Sequence, residues 1–193
     1  DLSRVQTGKL DFKYKITSLI PSLELIQKTF EQVSGEKNID VTLEIKDSLG
    51  EVYADNHRIE QIISNLVSNA LKFTPENGNI KIIAQTVDEN EIDSSLLISP
   101  VQKIRGKYVK ISVTDTGIGI KEENIPKIFE KFSQIENSLT RNIGGVGLGL
   151  PITKQLLDAH LGAIAVKSKE GEGSDFSFYI PLLDKKKMFI MDI

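Results

Sequence analysis

The sequence predicts an α+β fold, a two-layer sandwich of a mixed, mostly antiparallel sheet with helices on one face. Three observations carry that expectation. Short stretches alternate apolar and polar residues with the period of a half-buried strand. Two longer stretches, 56–73 and 148–161, keep their apolar residues on one face at helical spacing. No internal repeat or low-complexity tract interrupts them, so one core is expected within the 193 residues.

The elements follow in order. "LDFKYKIT" alternates Phe12, Tyr14 and Ile16, a short strand. A helix follows with Ser18 as cap, Pro21 in its first turn, Leu23, Ile26, Phe30 and Val33 on one face, and Gly35 at its end. Ile39, Val41, Leu43 and Ile45 alternate in a second strand, and "EVYA" returns as a third after the Ser48-Leu49-Gly50 turn. In the helix 56–73, Ile59, Ile62, Ile63, Leu66, Val67, Ala70 and Phe73 share one arc. His57, Gln61, Ser64, Asn65, Ser68, Asn69 and Lys72 share the other, and Thr74-Pro75 stops the helix. Residues 80–87 and 108–114 read as strands. The polar stretch 88–107 between them is too long for a hairpin loop and reads as an insertion or a mobile loop. Residues 122–132 read as a helix, 133–145 as a polar loop and 148–161 as a helix. The strands 163–168 and 175–180 come last, joined by "KEGEGS".

Composition bounds the chemistry. With 39% hydrophobic and 26% charged residues the chain reads as a folded domain, and a net charge of −3 gives no reason to expect a nucleic-acid partner. The absence of cysteine removes thiol nucleophiles and zinc–thiolate sites and fits a reducing cytoplasm. No apolar run approaches the ~20 residues that span a bilayer, and the opening residues lack a signal-peptide pattern. Both ends read as fragments: 1–8 as the end of a preceding helix, 9–182 as the domain proper and 183–193 as a linker or tail.

Three stretches carry candidate chemistry. In "VTDTGIGI", Asp115 ends a strand, with Gly117 and Gly119 in the turn after it. This is either an ordinary strand-to-helix turn or a site where an acceptor-only carboxylate meets an amino group such as that of adenine. "GGVGLGL" follows a polar loop and opens a helix, without the spacing of a Rossmann or Walker loop. It reads either as a hinge or as bare amides at a helix N-terminus that admit a phosphate. The polar arc of 56–73 is either a solvated face or a site. Its centre holds the amides of Gln61, Asn65 and Asn69 with Lys72 beside them, rather than the Glu, Lys and Arg of most solvated faces. An amide oxygen suits Mg²⁺, and a lysine suits phosphate.

Together "NLVSNALKFTP", "DTGIGI", "IFEKF" and "GGVGLGL" resemble the N, G1, F and G2 boxes of two-component sensor histidine kinases, within the GHKL ATPases. "GEGSDFSFYIPL" resembles the last turn and strand of the same domain, so the likeness spans roughly 9–182. It implies a Bergerat-type ATP-binding fold with ATP and Mg²⁺ as cofactors. It further implies that Asn69 ligates the metal, Asn65 positions it, and Lys72 and Arg141 reach phosphate. Asp115 would bind the adenine amino group over a floor of Gly117 and Gly119. Residues 133–145 would form a lid hinged by Gly144, Gly145, Gly147 and Gly149, with Phe129 and Phe132 anchoring it in the core. Family members that activate water or serine carry Glu where this chain has Asn65, so the resemblance favours a nucleophile brought in by another domain.

The departures are Val146, where Thr, Ser or Ala is usual, and the long 88–107 stretch. No phosphoacceptor motif is present, and His57 and His160 read as structural. The resemblance therefore implies a catalytic domain whose histidine lies on a separate dimerisation domain. A response-regulator receiver would act downstream. This piece would be monomeric, its full-length protein a homodimer, and its location the cytoplasm, alone or as the cytoplasmic part of a membrane sensor. A GHKL serine kinase or ATPase and a nucleotide-binding pseudokinase scaffold are the alternatives.

Overall fold

The computed structural model describes residues 11–98, 106–133 and 147–183. Its centre is a five-stranded mixed sheet in the order β2-β4-β5-β7-β6. The strands are β2 (Asp40–Ile45), β4 (Asn79–Asp88), β5 (Lys107–Asp115), β6 (Ala163–Lys169) and β7 (Gly173–Pro181). β2 and β4 run parallel and the other neighbours antiparallel. A two-stranded antiparallel ribbon of β1 (Lys15–Thr17) and β3 (Val52–Ala54) stands beside it, tied to the end of β7 by a bridge between Val52 and Leu182. Three helices cover one face: α1 (Ile20–Ser34), α2 (Asn56–Phe73) and α3 (Gly149–Ala159).

The period of two in each strand sorts its side chains between the two faces. Ile80, Ile82 and Ala84 of β4, Val109, Ile111 and Val113 of β5, and Phe176, Phe178 and Ile180 of β7 meet the helices in one core. From α2, Ile59, Ile62, Ile63, Leu66, Val67 and Ala70 are buried there, as its periodicity predicts. The ends of α2 are set chemically. The Asp55 side chain caps it by accepting from the Arg58 amide, and both the Thr74 amide and hydroxyl donate to the Ala70 carbonyl just before Pro75.

The other sheet face is partly covered, and residues 92–98 of the unassigned 88–107 stretch do it, 99–105 lying outside the described residues. Ile92, Leu96 and Leu97 pack on Val87, Tyr108, Ala163, Ala165 and Tyr179. Leu97 then bridges Ala165, and the Ile98 amide donates to the Ile164 carbonyl at 2.9 Å. The segment thus leaves β4, lies over the outer face and closes part of the exposed edge of β6, where unpaired backbone groups would otherwise invite another chain.

Three sequence expectations need correction. Residues 122–132 form two 3₁₀ turns, Glu122–Asn124 and Lys127–Phe129, instead of one helix, because Pro126 removes a backbone donor mid-stretch. Val33 is 56% exposed, since Ser34 takes the buried position in the last turn of α1. Ile16 is 45% exposed, and in that segment Phe12 and Tyr14 do the packing instead.

Those two rings stack at 5.5 Å, Tyr14 stacks on Tyr53 at 5.5 Å, and Phe12 meets the edge of His160 at 5.6 Å. Asp55 joins the same cluster through three bonds. Its Oδ2 accepts from the Lys13 amide at 2.8 Å, its Oδ1 accepts from Arg58, and its own amide donates to His160 Nε2 at 3.1 Å. His160 is 4% exposed, and its Nδ1 faces the Leu156 carbonyl at 2.7 Å, which fixes the neutral tautomer with the proton on Nδ1. His160 is thus structural, as the sequence suggests, while His57 is exposed on the surface.

Burial holds the His160 pKa below the ordinary 6.5, outweighing its hydrogen bond to Leu156 and the nearby Asp55 charge, which push the other way. A depressed histidine pKa means the unfolded chain binds the extra proton first. Its stabilising contribution is complete above about pH 6.5 and is lost as pH falls below that value. Urea unfolding at pH 7.5 and 5.5 should therefore show a loss of stability on acidification that is clearly smaller in His160→Gln.

Candidate functional site

The polar arc of α2 lies at the seam with α3 and at the turn after β5, and its two asparagines behave differently. Asn65 is half-buried. Its Nδ2 donates to Thr153 Oγ1 at 2.7 Å, and its Oδ1 lies so close to Gly149 that a Cβ there would sit 2.3 Å away. Any larger residue at 149 would therefore have to displace the Asn65 amide, a reason for glycine that the sequence pattern does not show. Asn69, one turn on, is half-buried and makes no hydrogen bond among the described residues. Lys72 follows on the same side, its Nζ 5.0 Å from the centre of the Phe73 ring.

The helix ends against the second part of the site. The Ile118 amide donates to the Phe73 carbonyl at 3.2 Å, and a Cβ at Gly117 would lie 2.7 Å from that same oxygen. The loop after β5 therefore fits only with glycine at 117. Gly119 has φ +66°, and a Cβ there would meet the Lys169 carbonyl at 1.9 Å. The turn between β6 and β7 holds this loop from the far side. Gly171 donates to the Ile118 carbonyl at 2.7 Å, and Ser168 Oγ accepts from the Ile120 amide at 2.8 Å. Structure thus brings Asp115, Gly117 and Gly119 beside the C-terminal end of the helix that carries Asn65, Asn69 and Lys72.

Asp115 is 7% exposed, and its Oδ1 accepts from the Gly117 amide at 2.8 Å. Burial raises its pKa above the ordinary carboxylate value, while the Gly117 and Ser174 amides pull it down and Asp175 adds to the rise. A carboxylate short of solvation at the end of a strand is suited to a ligand donor such as an exocyclic amine.

The third part is only partly described. Arg141, Gly144, Gly145 and Val146, and all of 133–145 except Ser133, lie outside the described residues. Gly147 has φ +69°, and a Cβ there would meet the Ser133 carbonyl at 2.7 Å. Phe129 packs on the core as expected, but Phe132 does not. It is 63% exposed with φ +63°, because the bond from its amide to the Gly147 carbonyl turns the chain outward. Thr153 and Ser168 escaped the sequence reading. Each is an ordinary residue in a helix or strand, and only the assembled structure shows what its hydroxyl meets.

Over residues 54–184 the chain matches the family of histidine kinase-, DNA gyrase B-, and HSP90-like ATPases. Signal transduction histidine-protein kinase BarA of Escherichia coli (strain K12) is 36% identical over 183 residues, 94% of this chain and 18% of that protein. Sensor histidine kinase WalK of Bacillus subtilis (strain 168) is 31% identical over 186 residues, 96% of this chain and 28% of that protein. The chain therefore spans well under a third of the length of these curated relatives. Among solved structures, the catalytic domain of histidine kinase ThkA superposes with a TM-score of 0.67 at 31% identity, covering 88% of this chain and 96% of that one. Full-length ShkA in complex with AMPPNP superposes with a TM-score of 0.72 at 27% identity, covering 93% of this chain and 33% of that one.

The packing around Gly119 sets a test. Gly119→Ala would combine a left-handed backbone with a collision against a backbone carbonyl, so it should cost about 2 kcal/mol or more of stability in urea unfolding. Gly171→Ala, with positive φ but open space around it, should cost less.

Proposed function

The chain belongs to the histidine kinase-, DNA gyrase B-, and HSP90-like ATPase family as a catalytic ATP-binding domain of the sensor histidine kinase type, and we propose that it transfers the γ-phosphate of Mg-ATP to a histidine on a separate dimerisation domain. The observation that carries this reading is that α2 presents no carboxylate at the site. The helix has one carboxylate, Glu60, and it is engaged at the seam with α1, where it accepts from Ser22 Oγ at 2.7 Å and Asn56 Nδ2 at 2.8 Å. At the site the helix presents amides, which cannot take a proton from water. Phosphoryl transfer rests mainly on positioning and charge neutralisation, so a site without its own base suits a nucleophile delivered by another domain. In the transfer a P–N bond to the imidazole forms as the P–O bond to ADP breaks.

The residues present fit the ligands. Asn69, with no hydrogen bond among the described residues, would offer its amide oxygen to Mg²⁺, an ion that keeps several waters and needs few protein ligands. Bound there, the metal would neutralise phosphate charge. No cluster of three or more His, Cys, Asp or Glu among the described residues competes for that role. Lys72 and Arg141 would add positive charge near the phosphates, and Asn65 would orient the metal end of the site. Asp115 would accept from the adenine amino group over Gly117 and Gly119. Gly145, Gly147 and Gly149 would let the segment before α3 close on the phosphates, with Phe132 at its exposed base.

The protein's wider setting is part of the same proposal. Residues 9–182 would form the catalytic domain; the stub expected over 1–8 and all but the first residue of the tail expected over 183–193 lie outside the described residues. The piece would be a monomer, its full-length protein a homodimer in the cytoplasm or facing it. Among the described residues no helix is long and apolar enough to cross a membrane. ThkA has been solved in complex with response regulator TrrA, which supports a receiver domain as the downstream partner here.

Calorimetry with ADP and a non-hydrolysable ATP analogue should separate two roles. Asp115→Asn should weaken both nucleotides, by roughly ten- to a hundredfold for a charge-assisted bond of about 1.5–3 kcal/mol. Asn69→Ala should remove mainly the magnesium-dependent part. The chain should also phosphorylate, slowly, a separately supplied dimerisation helix pair bearing the acceptor histidine, because the tether that raises its effective concentration is gone. Steady ATP hydrolysis without such transfer would point to an ATPase, and nucleotide binding with neither activity to a scaffold.

A further inference from the structure

Asn65 can present either end of its amide to the site, and two contacts from α3 decide which. Its nitrogen donates to Thr153 Oγ1 at 2.7 Å, and Thr153 is 1% exposed, so water does not compete for that hydroxyl. Its oxygen lies against Gly149, the first residue of α3. The start of α3 has no side-chain cap hydrogen bond among the described residues, and its N-terminus carries the positive end of the helix dipole. An oxygen is favoured at that point and an NH₂ group is not. A hydroxyl alone could bond either end of the amide, but the hydroxyl and the helix terminus together admit one orientation.

Resting on the reading of this site as a Mg-nucleotide site, we propose that Thr153 is a positioning residue for the phosphate end. It holds the Asn65 nitrogen in the seam between α2 and α3, so that the oxygen lies at the α3 N-terminus. Thr153 touches neither metal nor nucleotide and acts through Asn65. The bond also joins the helix that follows the G2 segment to the helix that carries Asn69. A shift of α3 would then turn the Asn65 amide.

The test compares Thr153→Val, which keeps the shape and removes the hydroxyl, with Thr153→Ser, which keeps the hydroxyl. The ratio of analogue affinity with and without magnesium should fall roughly five- to tenfold in Thr153→Val, the worth of about one hydrogen bond, and stay near parental in Thr153→Ser. Affinity without magnesium should be unchanged in both. Side-chain amide NMR of the unsubstituted, nucleotide-free protein should show one Asn65 Hδ2 proton slowed in exchange, a readout that needs no variant to fold. Rapid exchange of both Asn65 protons would overturn the proposal. So would equal losses in Thr153→Val and Thr153→Ser, which would indicate packing. Parental magnesium dependence in Thr153→Val, with Asn69→Ala losing it, would overturn this proposal and leave the site reading standing. Parental dependence in both variants would overturn both.

Discussion

The whole site depends on α2 being held in one rotational setting. Five of its side chains, Ile59, Ile62, Ile63, Leu66 and Val67, are almost wholly removed from water against the sheet, and each such burial is worth about 1.5–3 kcal/mol. No rotation of the helix keeps that arc in the core, so the opposite arc is fixed as well, with Asn65, Asn69 and Lys72 on it. The Asp55 cap sets where the helix begins, and Thr74 with Pro75 sets where it stops. Its last carbonyl is then available to hold the loop that carries Asp115 and Gly117. The core and the candidate site are two faces of the same constraint.

Much of this was legible in the sequence because it obeys short-range rules. The bounds of α2 follow from one uninterrupted period and the Thr74-Pro75 stop, while its Asp55 cap did not stand out. The five strands of the main sheet followed from alternation to within a residue or two, but β1 is only Lys15–Thr17 of the stretch that alternates from Phe12. What was not legible depends on distant partners. The 122–132 stretch has helical spacing, but a proline divides it into two turns. Phe132 has the composition of a core anchor, but a left-handed backbone carries it outward. The polar stretch 88–107 hides Ile92, Leu96 and Leu97, whose partners lie on four different strands of the sheet. At the site, Asp115 and the glycines stand out by pattern. Thr153 does not, because a helical threonine gains meaning only from the asparagine placed 2.7 Å from it.

The chemistry follows from what each group can hold. Asn65 is committed to α3, Asn69 makes no hydrogen bond among the described residues, and Glu60 is used at the seam with α1. Asp115 is kept from water and placed against amides, which readies it for a donor. On the proposed reading a helix with this division of labour would orient a nucleotide, and it presents no carboxylate at the site to activate water. Behind it, the partly covered outer face and the bridge between Leu97 and Ala165 shield part of the β6 edge.

The central claim is that the amide arc of α2 and the Asp115 loop form one nucleotide site. Its most direct test is a backbone and side-chain NMR titration of the chain with a non-hydrolysable ATP analogue and magnesium. The account predicts that the largest shifts fall on Asn65, Asn69, Lys72, Asp115 and Gly117, with Ile92, Leu97 and Ala165 on the outer face unmoved. Shifts concentrated on the outer face, or binding that leaves Asn69 and Asp115 unperturbed, would contradict it.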